Sequence, residues 1–355
     1  MRYCTCFMPY NRKQGHAVKE DGKVAFLYDV PDYKKIRVIL DTDAACEADD
    51  PFAIVQALLS PKLMVKGILA EHFREQGSME KSYQEILTIL DCMGMDASLA
   101  HRGQEGPMDT SGVKQETCDA QKNFPELSEG VKFLIEEAMK EDERPLYVLC
   151  QGAITNVAVA MQACPEIIQR MTVIWIGTHG EAPHPAPFRE FNAGNDITAA
   201  NLVLSCGGDI WIVPSTVYTT ILIGIAEIQK RILPCGKIGE HLFWNLVNYN
   251  NSEGAGWTKG ESWSLGDSPA IALALNPDCG HFHYVPAPVV AEDTSSVAWL
   301  ATEDAKGQKE MQADKKEAAQ DGKPDARPMV KMYTDVDSRY ILEDLIAKLE
   351  LFCEQ

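Results

Sequence analysis

Between Val38 and Asp50 the chain reads Val-Ile-Leu-Asp41-Thr42-Asp43-Ala-Ala-Cys46-Glu47-Ala-Asp49-Asp50, so a short apolar run ends in four aspartates and a glutamate within ten residues. An apolar run of that length predicts a buried, parallel strand. Ligands of open α/β sheets bind just beyond the carboxyl ends of such strands. Carboxylates crowded there repel one another unless a hard cation or a set of hydroxyl donors neutralises them. Asp49 and Asp50 directly precede an apolar helix pattern that begins at Pro51, and a helix N-terminus favours anions. Capping therefore accounts for one or two of the acids. It does not account for Asp41 and Asp43.

Three further segments place polar residues at the end of a strand or loop. Gln151-Gly152-Ala-Ile-Thr155-Asn156 follows the strand expected at 146–150 and, taken alone, reads as an ordinary strand-to-helix turn. Glu190-Phe-Asn192-Ala-Gly-Asn195-Asp196 follows a loop containing His179 and His184. Asp196 is most simply a helix cap, while Glu190 and Asn192, two apart, point the same way if the backbone is extended. Trp263-Ser-Leu-Gly266-Asp267-Ser-Pro269 leads into an apolar helix, where Asp267 alone could be an N-cap.

These segments need elements to position them. Strands are expected at 36–40, 63–70, 146–150, 173–177 and 210–213, with helices from 51 and at 80–93, 131–140, 156–163, 196–205 and 340–352. That alternation predicts an α/β fold, a mostly parallel, doubly wound sheet flanked by helices, in a single domain. Residues 1–33 read as an N-terminal leader outside the core and 34–355 as the domain. A charged stretch at about 303–327, nearly free of large apolar groups, reads as a surface insertion.

The chain has 355 residues, 45% of them apolar, which is enough for a full core, and its net charge is −19. That charge argues against nucleic-acid backbones and anionic membranes as partners and suits a small neutral or cationic ligand. The eleven cysteines are scattered apart from Cys4-x-Cys6. This reads as reduced thiols in a cytoplasmic protein. The N-terminus makes a poor signal peptide, and no stretch reaches the roughly 18 apolar residues of a membrane span.

Taken together, the four segments resemble the inosine–uridine-type nucleoside hydrolase family over about residues 36–350. Asp41-Thr-Asp43 with Asp49-Asp50 resembles its signature, and Gly152-Ala-Ile-Thr155-Asn156 its Gly-Pro-Leu-Thr-Asn turn. Glu190-Phe-Asn192 with Asp196 is similar to its Glu-Phe-Asn…Asp segment, and Asp267-Ser-Pro to its late helix start. The resemblance implies a calcium ion held by Asp43, Asp50, the main-chain carbonyl of Thr155 and Asp267. It also implies ribose hydroxyls held by Asp49, Glu190 and Asn192. An all-oxygen ligand set of this kind suits calcium. The implied chemistry is hydrolysis of an N-ribosidic bond to ribose and free base. A water acidified by the cation would give its proton to Asp43 and attack through an oxocarbenium-like state. The resemblance further suggests a homo-oligomer, dimer or tetramer, acting on a small ribosyl substrate.

Three departures stand out. Five residues, Ala44–Ala48, separate the two acidic pairs where the family usually has three, and Glu47 in that spacer reads as a solvent-facing loop residue. The loop after the second strand, Glu71-His72-Phe73-Arg74, has no asparagine. Gly266 stands where many members carry a histidine beside the leaving base. His72, His179 and His184 are candidates to replace it, and Trp263 and Phe73 are candidates to stack on a base. Two rival readings remain. One is an Asp-nucleophile phosphatase of the haloacid-dehalogenase type, with Asp41 as nucleophile, which expects Thr or Val where Ala45 stands. The other is a non-catalytic calcium-dependent ribose- or nucleoside-binding protein.

Overall fold

The computed structural model describes residues 26–108, 127–180, 189–291, 297–298 and 327–354. Strand β1 (Ile36–Thr42) leads to helix α1 (Asp50–Leu58), β2 (Leu63–Ala70) to α2 (Ser78–Met93), and β3 (Ala100–Arg102) to α3 (Glu129–Met139). Next come β4 (Leu146–Cys150) with α4 (Thr155–Ala163), β5 (Met171–Ile176) with α5 (Phe191–Asn195) and α6 (Ile197–Ser205), and β6 (Asp209–Val213) with the single turn α7 (Ser215–Tyr218). A short ribbon follows, β7 (Leu222–Gly224) paired with β8 (Ser262–Ser264), and between its strands lie α8 (Ile225–Glu227) and α9 (Gly236–Asn250). The remainder is α10 (Ser268–Leu275), β9 (Gly280–Pro286), the pair β10 (Val289–Val290) and β11 (Val297–Ala298), β12 (Met329–Val336) and α11 (Ser338–Cys353).

The main sheet has eight strands in the order β3-β2-β1-β4-β5-β6-β12-β9. Every neighbouring pair is parallel except β12 with β9. The expected mostly parallel, helix-flanked sheet is therefore the observed one. Its central strands are apolar throughout because both faces are covered. In β1 the two faces separate with period two: Val38 and Leu40 join a cluster with Phe52 of α1, Ile271 of α10 and Leu345 of α11. Ile39 joins the opposite cluster with Val131 of α3, Val157 of α4 and Val203 of α6.

Strand order reverses between β1 and β4, so the chain ends of these two strands open a crevice at the switch point. The acidic segment leaves β1 there, and the Gln151–Asn156 turn leaves β4 beside it: Gln151 donates its main-chain N–H to Asp41 O at 2.8 Å.

Most element positions follow the sequence reading within a few residues. Strands β3, β9 and β12 of the main sheet and helix α9 had no counterpart in it. Of the expected leader only 26–33 is described, and the expected 303–327 insertion, apart from Arg327, lies outside the described residues, as does His184. Among the described residues no helix is long and apolar enough to cross a membrane. The described cysteines are free.

Candidate active site

The acidic loop folds back on its own strand. Cys46 donates its N–H to Asp43 O at 2.7 Å, and the Thr42 hydroxyl bonds to the Asp50 carboxylate. From the far side of the crevice the β7–β8 ribbon delivers Gly266 and Asp267 to the start of α10. Gly266 donates its N–H to Asp49 Oδ2 at 3.0 Å. Carboxylate oxygens of Asp49, Asp50 and Asp267 all lie within 4.8 Å of one another. The Asp50 carboxyl is also within hydrogen-bonding reach of Asp43.

Asp49 and Asp267 are the N-cap residues of α1 and α10, yet neither side chain accepts a hydrogen bond from its own helix. Asp196 and Glu190, by contrast, do cap their helices. The Asp49 and Asp267 carboxylates are thus left for the crevice, with the positive ends of two helix dipoles behind them. Burial, reinforced by the neighbouring carboxylates, pushes Asp43, Asp49 and Asp267 well above the usual range. Burial likewise raises Asp50 to about 6 and Glu47 to about 7. A buried group of acids that resists its own ionisation, with no Lys or Arg bonded to it among the described residues, fits a hard divalent cation.

Glu47 is half-buried beside this cluster rather than on an open loop, and Asp43, Asp49 and Tyr218 all feel its charge. The lengthened spacer was the sequence signal for it.

Behind the cluster, Asn156 holds two buried acids with one side chain and its own amide. Its Nδ2 donates to Asp41 Oδ1 at 2.8 Å and Ala70 O at 3.2 Å, and its N–H donates to Glu71 Oε1 at 3.0 Å. Its Oδ1 accepts from Gln104 N at 2.7 Å. The remaining oxygens, Asp41 Oδ2 and Glu71 Oε2, have no other partner, and the two carboxyls are within hydrogen-bonding reach of each other. Burial, then the charge of Asp41, raises Glu71 well above its ordinary range. Gly152 is needed beside Asp43, because a Cβ there would stand 3.1 Å from Asp43 Oδ1. Asp41 therefore braces the loop from behind, and Asp43 faces the crevice.

Among the described residues, three non-glycine residues have positive φ: Arg74 (72°), Ile154 (63°) and Thr178 (67°). They follow β2, β4 and β5, and each such conformation costs about 1–3 kcal/mol. Strain is concentrated at the carboxyl end of the sheet.

Of the candidate histidines, the two that are described are hydrogen-bonded within the protein. Arg74 N donates to His72 Nδ1 at 3.2 Å, so the proton of the neutral ring sits on Nε2. That Nε2 donates to Thr155 Oγ1 at 2.9 Å, and Thr155 Oγ1 donates to Asp196 Oδ2 at 2.8 Å. Burial, and then Arg74, pulls His72 down to about 4. Asp196 also accepts from Ala199 N (2.9 Å) and Met108 N (2.7 Å). His179 is buried, with Nδ1 2.7 Å from Ser215 Oγ.

Of the remaining expected residues, Asn192 gives both amide hydrogens to main-chain carbonyls, Gln151 O at 2.8 Å and Ile176 O at 2.9 Å. Only its Oδ1 is left to offer a ligand. Glu190 is fully buried and accepts from Tyr218 Oη at 3.1 Å as well as from main-chain amides. Trp263 is 1% exposed and packs against Tyr249 and Trp257, so protein already covers it. Trp257, by contrast, is 51% exposed. The ring of Phe73 lies near Lys81, whose Nζ is 5.7 Å from its centroid. Sequence reasoning passed over Asn156, Glu71 and Tyr218 as site-forming residues.

Sheet order and a carboxylate-lined crevice define an α/β protein with its site at the switch point. Residues 38–343 match the family model for inosine-uridine preferring nucleoside hydrolases, and the chain belongs to that family. It is 26% identical over 192 residues to the uncharacterized protein C1683.06c of Schizosaccharomyces pombe, covering 50% of this chain and 61% of that one. It is 29% identical over 188 residues to the non-specific ribonucleoside hydrolase RihC of Escherichia coli, covering 50% and 60%. The matched part of the chain thus spans about three-fifths of the length of these relatives. A solved inosine-guanosine nucleoside hydrolase shares the fold, with a TM-score of 0.65, 20% identity, and coverage of 90% of this chain and 98% of that one.

Proposed function

We propose that this chain hydrolyses the N-ribosidic bond of a nucleoside or related ribosyl compound, releasing ribose and free base, with calcium held by Asp43, Asp50, Thr155 O and Asp267. The observation that carries the reading is the cluster of half-buried Asp49 with buried Asp50 and Asp267, joined by Asp43 and by acids that no cap or ion pair consumes. When bound there, a hard dication supplies the Lewis-acid charge that acidifies a water and fixes sugar hydroxyls.

The side chains do the rest. Asp43, raised by burial and by Asp50, is the base that takes the water proton. Asp49, oriented by the Gly266 N–H, and the Asn192 Oδ1 accept hydrogen bonds from the ribose. The surrounding carboxylates stabilise positive charge as it develops on the sugar ring. Departure of the base draws no proton from His72, whose single proton is held by Thr155.

That commitment, with Gly266 lacking a side chain, also favours a second reading, a calcium-dependent nucleoside-binding protein without turnover. Reducing-sugar release from a panel of ribonucleosides decides between them. Turnover that is lost on chelation, restored by calcium and abolished in Asp43→Asn supports the hydrolase. Binding without turnover of any nucleoside supports the second reading. The scattered cysteines support a cytoplasmic location, and the family resemblance supports a homo-oligomer, dimer or tetramer, which light scattering would measure.

A further inference from the structure

Glu190 is one of the residues that the ribosyl reading assigns to a sugar hydroxyl, yet its acceptor sites are filled by the protein. Oε2 accepts from Thr178 N at 3.0 Å and Ala193 N at 2.8 Å. Oε1 accepts from Asn192 N at 3.3 Å and Tyr218 Oη at 3.1 Å. A carboxylate offers about four such sites. Three of the four donors are main-chain amides with nothing more to give. The fourth is a phenol, whose oxygen has lone pairs of its own.

Tyr218 is half-buried, and the charges of Glu190, Glu47 and Asp267 all reach its phenol. A Cβ placed on Gly266 would stand 3.3 Å from Tyr218 Cδ2 and 3.1 Å from Asp49 Oδ2. The ring therefore runs along the crevice wall from the acidic cluster to Glu190 and fills space that a side chain at 266 would need. Its backbone is held at both ends: Tyr218 N donates to Pro214 O at 3.0 Å, and Tyr218 O accepts from Ser264 Oγ at 3.0 Å.

Resting on the ribosyl reading, we infer that Tyr218 Oη, rather than the Glu190 carboxylate, receives one ribose hydroxyl. Glu190 is then a positioning residue: it accepts the phenol O–H hydrogen bond and so leaves the phenol lone pairs for the sugar. A phenol has a single proton, and with its O–H directed at Glu190 it acts toward the ligand only as an acceptor. The group it reads must be a donor, and an O–H at one carbon of the ribose supplies that.

The test uses the purified full chain with calcium, a ribonucleoside and its 2′-, 3′- and 5′-deoxy counterparts, for the wild type, Tyr218→Phe and Glu190→Gln. Phe keeps the ring and removes the acceptor. We expect Tyr218→Phe to lose about 10- to 100-fold in kcat/KM on the riboside, the effect of leaving one ligand hydroxyl without its acceptor. Its discrimination against one of the three deoxy sugars should collapse, with the other two retained. Glu190→Gln turns an amide N–H toward the phenol, and the same single discrimination should weaken. The double variant should then lose no more of it than Tyr218→Phe alone. Full retention of all three discriminations by a Tyr218→Phe protein with wild-type melting temperature overturns the inference. A wild type that turns over no ribonucleoside defeats the hydrolase reading instead. Calorimetric binding of the same four compounds then reads the same pattern without turnover.

Discussion

The Asp49 carboxylate accepts the main-chain N–H of Gly266 at 3.0 Å, joining two strand-to-helix turns that are 217 residues apart in sequence. One turn brings Asp50 and the other Asp267, so this single bond sets the distance between the two halves of the acidic cluster.

It follows that Gly266 is needed for space. An added Cβ meets Asp49 Oδ2 at 3.1 Å and Tyr218 Cδ2 at 3.3 Å, both tighter than ordinary contacts. Gly266→Ala should cost about 1–3 kcal/mol by overpacking and lower kcat/KM by about tenfold for a displacement on the order of 1 Å or less at the site. Gly266→His should do worse, because its larger side chain meets the same two neighbours. Steady-state kinetics and urea unfolding of both variants check this, and a gain of activity in Gly266→His would refute it.

Removing one member of the cluster should have opposite effects with and without calcium. Asp50 lies in reach of Asp43 and Asp267 and accepts from Thr42. In Asp50→Asn, one source of repulsion is gone, so the calcium-free protein should melt higher than calcium-free wild type. Calcium should then raise its melting temperature less than in wild type, because ligand-linked stabilisation falls with affinity. Thermal melts across a calcium titration read both signs.

The calcium-free protein should lose stability as pH rises. Folding raises Asp50 to about 6 and Glu47 to about 7 from ordinary values of 3.8 and 4.5. Between those limits the folded state binds more protons than the unfolded one, so stability drops with increasing pH. For these two groups the loss begins near pH 4 and is complete just above pH 7, and Asp43, Asp49 and Asp267, raised well above the usual range, extend it in the same direction. Saturating calcium, which favours the ionised carboxylates, should flatten the slope. Denaturation midpoints in chelator at pH 5 and 7.5, repeated in calcium, give the comparison.

Asn156 should prove a stability residue first. It satisfies Asp41 Oδ1, Glu71 Oε1, Ala70 O and the Gln104 N–H from a fully buried position. Asn156→Ala retains the main-chain bond to Glu71 but strips Asp41 of its donor, and should cost about 3 kcal/mol or more. Asn156→Asp should be worse, since it adds a third acid to a buried pair. Urea unfolding at neutral pH measures both.

Much of the sheet was legible before any coordinates. Apolar runs such as 146–150 and 63–70 announce buried strands because both of their faces must be covered, and period and length are local properties. Strand β3 is only three residues long, and β9 exposes four consecutive residues from His281 to Tyr284, so neither has a pattern to detect. The cap reading of Asp49 and Asp267 was locally sound, and the structure differs only in where the side chains turn.

By itself, the sequence determined that acids end the first strand, that glycine stands before Asp267, and that the chain carries the segments of the nucleoside hydrolase family. These are matters of residue type and spacing. Only the tertiary structure decided what each side chain is free to do. Glu190 is filled by four donors, His72 has its proton taken by Thr155, and Glu47 lies half-buried beside the acidic cluster. Each of those outcomes depends on hydrogen-bond or charge partners brought together by the strand order β2-β1-β4-β5-β6, from segments that a linear pattern cannot pair.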